Sequence, residues 1–151
     1  MKAFNSINDI LDFAMNEEQK AVDFYTSLAT QARTADMREV FESFAKEEIS
    51  HKARLAKIKE EGSYITPKEN IADLKIADYM VSAEVTPGIS YQDALLVAMK
   101  KEKAAFKLYM ALSDRAPNAT MKEVFLSLAQ EESKHKLRFE LEYDEYVLRE
   151  N

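Results

Sequence analysis

The two histidines of the chain each follow a glutamate by three residues, in the motifs Glu48-x-x-His51 and Glu132-x-x-His135. Residues three apart lie on one face of a helix, so each motif presents a carboxylate beside an imidazole. Iron, manganese and zinc all accept these two ligand types in proteins. A lone motif of this kind is weak evidence, but two copies indicate a site for metal ions.

Four stretches of the sequence carry apolar residues at intervals of three and four, which predicts four amphipathic helices. Ionisable side chains interrupt each apolar stripe. Glu18 interrupts the first and Glu102 the third, whereas the two Glu-x-x-His motifs interrupt the second and the fourth. The apolar members are Leu11, Ala14, Ala21, Tyr25, Leu28 and Ala32; Met37, Phe41, Phe44, Leu55 and Ile58; Leu95, Ala98, Ala105, Tyr109, Leu112 and Ala116; and Met121, Phe125, Leu128 and Phe139.

Four carboxylates that face one core must be neutralised, because burial of even one unpaired charge costs several kcal/mol. No lysine or arginine occupies a stripe position, so either the carboxylates are protonated or metal cations neutralise them. Two divalent cations balance four carboxylates, and two neutral imidazoles complete the coordination. The alternative is a polar layer in a metal-free bundle. The predicted ligands are Glu18, Glu48, His51, Glu102, Glu132 and His135.

The chain is internally repeated with a period of 84 residues. Segments 6–54 and 90–138 align without gaps, and 22 of the 49 positions are identical, which indicates duplication. The repeat selects Glu18 as the ligand, because its neighbour Glu17 becomes Lys101. Glu47 recurs as Glu131, but both lie one step off the stripes. They are expected to be solvated helix-edge residues rather than partners of the ligands, so Glu47→Ala should hardly change metal binding.

Capping motifs predict where the helices begin: Ser6-x-x-Asp9, Asp36-x-x-Glu39, Ser90-x-x-Asp93 and Thr120-x-x-Glu123. Gly62 is expected to end the second helix, and Pro117 lies in the short connection before the fourth. The chain 1–151 is thus predicted to be one all-α domain, a four-helix bundle. Its repeat halves are 6–61 and 90–148, and its long crossover, 62–89, has room for a short helix over 71–81.

Composition agrees with this interpretation and excludes other classes of protein. The 151 residues include two glycines and three prolines, too few for the turns of an all-β domain. The 21 basic and 27 acidic residues give a net charge of −6, which offers no electrostatic footprint for nucleic acid or an anionic membrane. Cysteine is absent, which excludes disulfides and sulfur-ligated iron. With neither a signal peptide nor a membrane span, the expected location is cytoplasmic.

The paired motifs resemble those of the ferritin-like di-iron carboxylate superfamily, and are most similar to rubrerythrins, over about residues 6–140. The resemblance implies a ferritin-like bundle that holds two iron ions per chain, with manganese or zinc as alternatives. Tyr25 and Tyr109 follow the glutamates by two turns. They are expected either to hydrogen-bond a ligand carboxylate or only to pack in the core. The chain lacks the rubredoxin-like domain of full-length rubrerythrins and has Ala105 where they carry an extra glutamate ligand, so its site resembles that of bacterioferritins.

Two classes of function follow from the resemblance. The first is a di-iron oxidoreductase that reduces peroxide or dioxygen, with an external electron donor such as a rubredoxin, as a homodimer and without catalytic residues beyond the metal site. The second is iron(II) oxidation for storage or detoxification, which requires a multi-subunit cage. A metal-dependent sensor or scaffold is a third alternative.

The ligand count makes a first prediction: the purified protein carries two metal ions per chain. Elemental analysis of protein expressed with added iron measures this stoichiometry. Less than half an equivalent of any transition metal would contradict the prediction.

Overall fold

The computed structural model describes residues 6–61, 79 and 89–150, the side chains of the last two excepted. Four helices account for nearly all of these residues: α1 (Ile7–Gln31), α2 (Ala35–Glu61), α3 (Tyr91–Asp114) and α4 (Ala119–Glu150). The predicted all-α bundle of two helix pairs is confirmed. The predicted crossover and its short helix over 71–81 lie outside the described residues, apart from Tyr79.

Side-chain caps set the starts of α1 and α3 where the sequence predicts them. The Ser6 hydroxyl accepts a hydrogen bond from the Asp9 amide at 3.1 Å, and Ser90 accepts from Asp93 at the same distance. Each cap satisfies one of the amides that the first turn leaves without a partner. These two predicted starts are confirmed.

The predicted starts of α2 and α4 at Asp36 and Thr120 are wrong by two residues. The caps are Thr34, which accepts from the Met37 amide at 3.1 Å, and Asn118, which accepts from the Met121 amide at 2.9 Å. At the start of α4 the better cap is used, because Asn118 ranks above Thr120, whereas at the start of α2 Thr34 is the cap although Asp36 ranks higher. Because Thr34 and Asn118 are also 84 residues apart, the repeat extends to the caps.

The apolar core consists of two clusters with the Glu and His residues between them. One cluster joins the start of α1 to the end of α2 and to Leu108, Leu112 and Phe125. The other joins the second half of α1 to the start of α2, the start of α3 and Phe139. Full burial of such side chains contributes about 1.5–3 kcal/mol each, so apolar packing on both sides fixes the polar layer in place.

The stripe of α4 continues one position beyond the sequence prediction, to Glu142. This carboxylate is only 4% exposed and accepts a hydrogen bond from the Tyr91 hydroxyl at 2.9 Å. The bond joins the end of α4 to the start of α3. The spacing of three residues from Phe139 was the available sequence signal.

Removal of the Tyr91 hydroxyl is expected to destabilise the fold, because it leaves a buried carboxylate without its donor. Tyr91→Phe should lower the free energy of unfolding by about 1–3 kcal/mol, measured by urea unfolding of the metal-free protein. Tyr143→Phe is the matched control, since Tyr143 is half-buried and only accepts from Gln92 at 3.3 Å. Equal losses in the two variants would show that the Tyr91–Glu142 bond has no special role.

Candidate metal centre

The four helices bring the six predicted ligands into one layer at mid-bundle. α1 and α3 each contribute a glutamate, and α2 and α4 each contribute a Glu-x-x-His pair, as the stripe positions require. All six are buried, with no residue more than 3% exposed: Glu18, Glu48, His51, Glu102, Glu132 and His135. The structure therefore places every predicted ligand in the same small volume.

The ligand atoms divide into two overlapping sets. One set contains Glu18 and His51, the other contains Glu102 and His135, and both include Glu48 and Glu132. Within each set one ligand atom per residue lies within 4.8 Å of all the others. Two sets that share two carboxylates suit two adjacent cations with carboxylates between them.

The buried polar atoms that lack hydrogen bonds lie in this layer. Of the seven such side-chain atoms in the described part of the chain, six belong to the six predicted ligands. The Nδ1 atom of His51, for example, lies 2.7 Å from Glu132 and 3.2 Å from Glu48 but meets hydrogen-bond geometry with neither. Because buried polar groups normally have partners, convergent unpartnered oxygens and nitrogens fit bound metal ions.

Two tyrosines hold glutamates of the opposite repeat half. The Tyr25 hydroxyl donates to Glu102, and the Tyr109 hydroxyl donates to Glu18. Both tyrosines are buried, so each phenol occupies one carboxylate oxygen and leaves the other facing the layer. The sequence left open whether these tyrosines hydrogen-bond a predicted ligand or only pack in the core. In the structure both form the hydrogen bond.

The expectation that Glu47 and Glu131 are solvated helix-edge residues is wrong. The Nε2 atom of His51 lies 2.9 Å from Glu131, and that of His135 lies 2.7 Å from Glu47. An ionised carboxylate only accepts, so these bonds require a proton on Nε2. When the imidazole is neutral, as a metal ligand must be, its lone pair is therefore on Nδ1, which faces the layer. One step off the stripe is close enough for a flexible glutamate to reach the neighbouring helix.

Glu47 and Glu131, the two outer carboxylates that contact the histidines, differ in their other partners. Glu131 also accepts from Arg54 at 3.1 Å. The repeat equivalent of that arginine, Arg138, donates instead to the sulfur of Met37. The Glu47–His135 pair borders a groove of about 420 Å³ between α2 and α4, which is lined by this pair and five other residues, Phe44 and Lys134 among them. The side chain of Glu47 is 44% exposed, so this pair connects the layer to solvent.

The metal-free layer binds protons strongly. Burial and the charge of Glu48 raise the pKa of Glu18 to about 8. Burial acts to lower the pKa of both histidines, but the adjacent carboxylates outweigh it and raise the pKa of His51 to about 10 and that of His135 to about 11. Burial and the neighbouring carboxylates raise the pKa of Glu132 well above its ordinary value. Metal ions must therefore displace protons when they bind.

A cavity of about 30 Å³ reaches this layer between α1 and α3. Its floor is formed by buried side chains, among them four of the predicted ligands, Glu18, Glu48, Glu102 and Glu132. Its rim is formed by half-buried residues, which are Phe13, Glu17, Tyr79, Lys101, Ala104 and Ala105. The cavity has space for about one or two water-sized molecules, so only small substrates can reach the floor.

Comparisons with known proteins agree with this geometry. The rubrerythrin family model matches residues 9–80 and 93–151. A Thermotoga maritima protein, described as a ferritin-like diiron-carboxylate protein, superposes with a TM-score of 0.79 at 18% identity, over 97% of this chain and 99% of that one. A hypothetical protein from Pyrococcus furiosus superposes with a TM-score of 0.69 at 26% identity, over 89% and 86% of the two chains. No curated protein matches the sequence. None of the described helices is long and apolar enough to cross a membrane.

Loss of an outer carboxylate is expected to weaken metal binding, because nothing then fixes the orientation of the imidazole ring or the position of its proton. Glu47→Ala should reduce metal affinity by about tenfold to 100-fold, measured by competition with a chelator. Glu42→Ala is the matched control, an exposed glutamate on the same helix. Unchanged affinity in Glu47→Ala would restore the helix-edge interpretation.

The raised pKa values predict how the stability of the metal-free protein depends on pH. A group whose pKa is higher in the folded state stabilises fully below its unfolded pKa, and this contribution is lost as the pH rises through the folded pKa. For Glu18 that interval runs from 4.5 to about 8, and for His51 from 6.5 to about 10. The melting temperature of the metal-free protein should therefore fall as the pH is raised from about 5 to about 9. Thermal melts by circular dichroism test this, and a rise across the interval would contradict it.

Proposed function

This chain belongs to the rubrerythrin family, and we propose that it is a non-haem di-iron oxidoreductase that reduces peroxide or dioxygen with electrons from an external donor. The observation that carries the proposal is the pair of overlapping ligand sets, whose convergent atoms lack other partners. In this proposal Glu18 and His51 bind one ion, and Glu102 and His135 bind the other. Glu48 and Glu132, which belong to both sets, would be available to both ions.

The chemistry needs two electrons at one place. When bound, two iron(II) ions each supply one electron toward the reduction of a peroxide or dioxygen molecule. The chain contributes the cavity that admits such small molecules and a buried layer of carboxylates and imidazoles that would hold both ions. The hydroxyls of Tyr25 and Tyr109 fix one oxygen of Glu102 and Glu18, respectively, and Glu47 and Glu131 fix the imidazole rings.

Repeated turnover requires electrons from an external donor, which we propose is another protein. Cysteine is absent from the chain, so it has no sulfur-ligated iron centre of its own. A rubredoxin is the proposed type of donor. The groove beside Glu47 and His135 supports this, because hydrogen bonding links it to the ligand layer.

We propose that the protein is a homodimer that pairs through α4. Leu137, Leu141 and Leu148 lie on one exposed stripe of this helix, at exposures of 57%, 50% and 75%. Large apolar side chains exposed along one stripe mark an interaction surface, and this supports pairing with a second copy of the chain. Size-exclusion chromatography with light scattering distinguishes this dimer from a 24-subunit cage.

Iron(II) oxidation for storage or detoxification is the second candidate. Its support is the symmetric ligand set, in which Ala105 stands where rubrerythrins carry another glutamate. This set is the arrangement found in bacterioferritins, as the sequence resemblance implies.

Stopped-flow oxidation of the di-iron(II) protein tests the proposed activity. We expect faster oxidation by hydrogen peroxide than by dioxygen, with no mineral formed under excess iron, and slower oxidation in Glu102→Ala because that variant loses a predicted ligand. Glu42→Ala serves as the control and should react like the unaltered protein. Faster reaction with dioxygen together with mineral formation would favour the iron-oxidation candidate. No spectral change with either oxidant over minutes would leave the sensor or scaffold alternative.

A further inference from the structure

The rim of the cavity breaks the internal symmetry of the chain. Glu17 on α1 and Lys101 on α3 are equivalent positions of the repeat, and both are half-buried and line the cavity. The floor below them retains the symmetry, with Glu18 equivalent to Glu102 and Glu48 to Glu132. The duplication thus preserved the carboxylates that face the centre but exchanged a carboxylate for an ammonium at the rim.

Lys101 is the only cationic residue among those that line the described cavity. Its neighbour on the rim, Glu17, lies 3.4 Å from the exposed Lys20 and interacts electrostatically with Lys101 as well. Among the rim residues the Lys101 ammonium therefore balances the Glu17 carboxylate, and the rim adds no net negative charge to that of the floor. The floor, by contrast, presents four carboxyl groups of the predicted ligand layer and no ammonium or guanidinium group.

We propose that Lys101 determines which molecules reach the centre by this route, admitting small neutral or anionic oxidants and slowing hydrated divalent cations. The inference rests on the proposed function and deepens it, because it names the class of substrate that the cavity selects. A charged rim on a narrow, low-dielectric passage changes association rates by about tenfold or more. A passage that serves iron flux would carry carboxylates at both equivalent positions of the repeat, whereas here Lys101 stands opposite Glu17.

The test uses two probes of opposite charge. The first is the rate at which the metal-free protein takes up Co²⁺, followed by stopped-flow absorbance. The second is the affinity of azide for the Co²⁺-loaded protein. Lys101→Glu, which copies the equivalent position of the other half, should take up Co²⁺ about tenfold faster and bind azide about tenfold more weakly. Lys101→Gln adds no repulsion to Glu17. It should take up Co²⁺ about threefold faster and bind azide about threefold more weakly than the unaltered protein.

Lys103→Glu is the matched control, because it makes the same change of net charge at an exposed position two residues away. Its uptake rate and azide affinity should stay within about twofold of the unaltered protein, and the effect of Lys101→Glu should shrink as salt is added. Equal changes in Lys101→Glu and Lys103→Glu, or no change in either, would overturn the role of Lys101 while leaving the metal centre intact. Failure of the unaltered protein to take up Co²⁺ would instead overturn the proposed function, and the inference with it.

Discussion

The burial of four carboxylates and two imidazoles in one layer is the constraint on which the rest of the structure depends. Without cations the layer must bind protons, as the raised pKa values of Glu18, His51 and His135 indicate. The layer itself therefore favours the fold little, and the two apolar clusters on either side of it must fix the helices. The bundle places its stabilising contacts at its ends and its chemistry in the middle.

Duplication explains how such a layer is completed. The hydrogen bonds that position the ligands run between the halves: Tyr25 reaches Glu102, and Glu131 reaches His51. Their equivalents run in the reverse direction, from Tyr109 and from Glu47. Neither helix pair could position its own ligands alone, because the residues that orient them lie on the other pair. Burial of the apolar faces brings the two helix pairs together, and the polar contacts form only when the pairs are packed in this way.

Much of this arrangement could be predicted from the sequence, since helical stripes specify which residues face the core. The stripes predicted that Glu18 and its five partners face the core, and all six are buried in one layer; Ser6 and Ser90 specified two helix starts. A stripe position specifies the direction of the Cα–Cβ bond only, however, and a glutamate is long enough for its carboxylate to contact a neighbouring helix. The roles of Glu47 and Glu131 were therefore missed, although their identity across the repeat was a usable signal. The caps at Thr34 and Asn118 were missed because a second capping motif begins two residues later.

The contrast between floor and rim has a physical origin. A change at the floor alters the charge that two cations must balance, and it leaves a tyrosine or an imidazole without its partner. A change at the rim alters only the field through which molecules approach, because Lys101 lies at the half-buried edge of the cavity. The ligand layer is therefore constrained as a unit, whereas the rim can vary one residue at a time. Under the role proposed for Lys101, substrate selection could diverge while the six buried Glu and His residues stay unchanged.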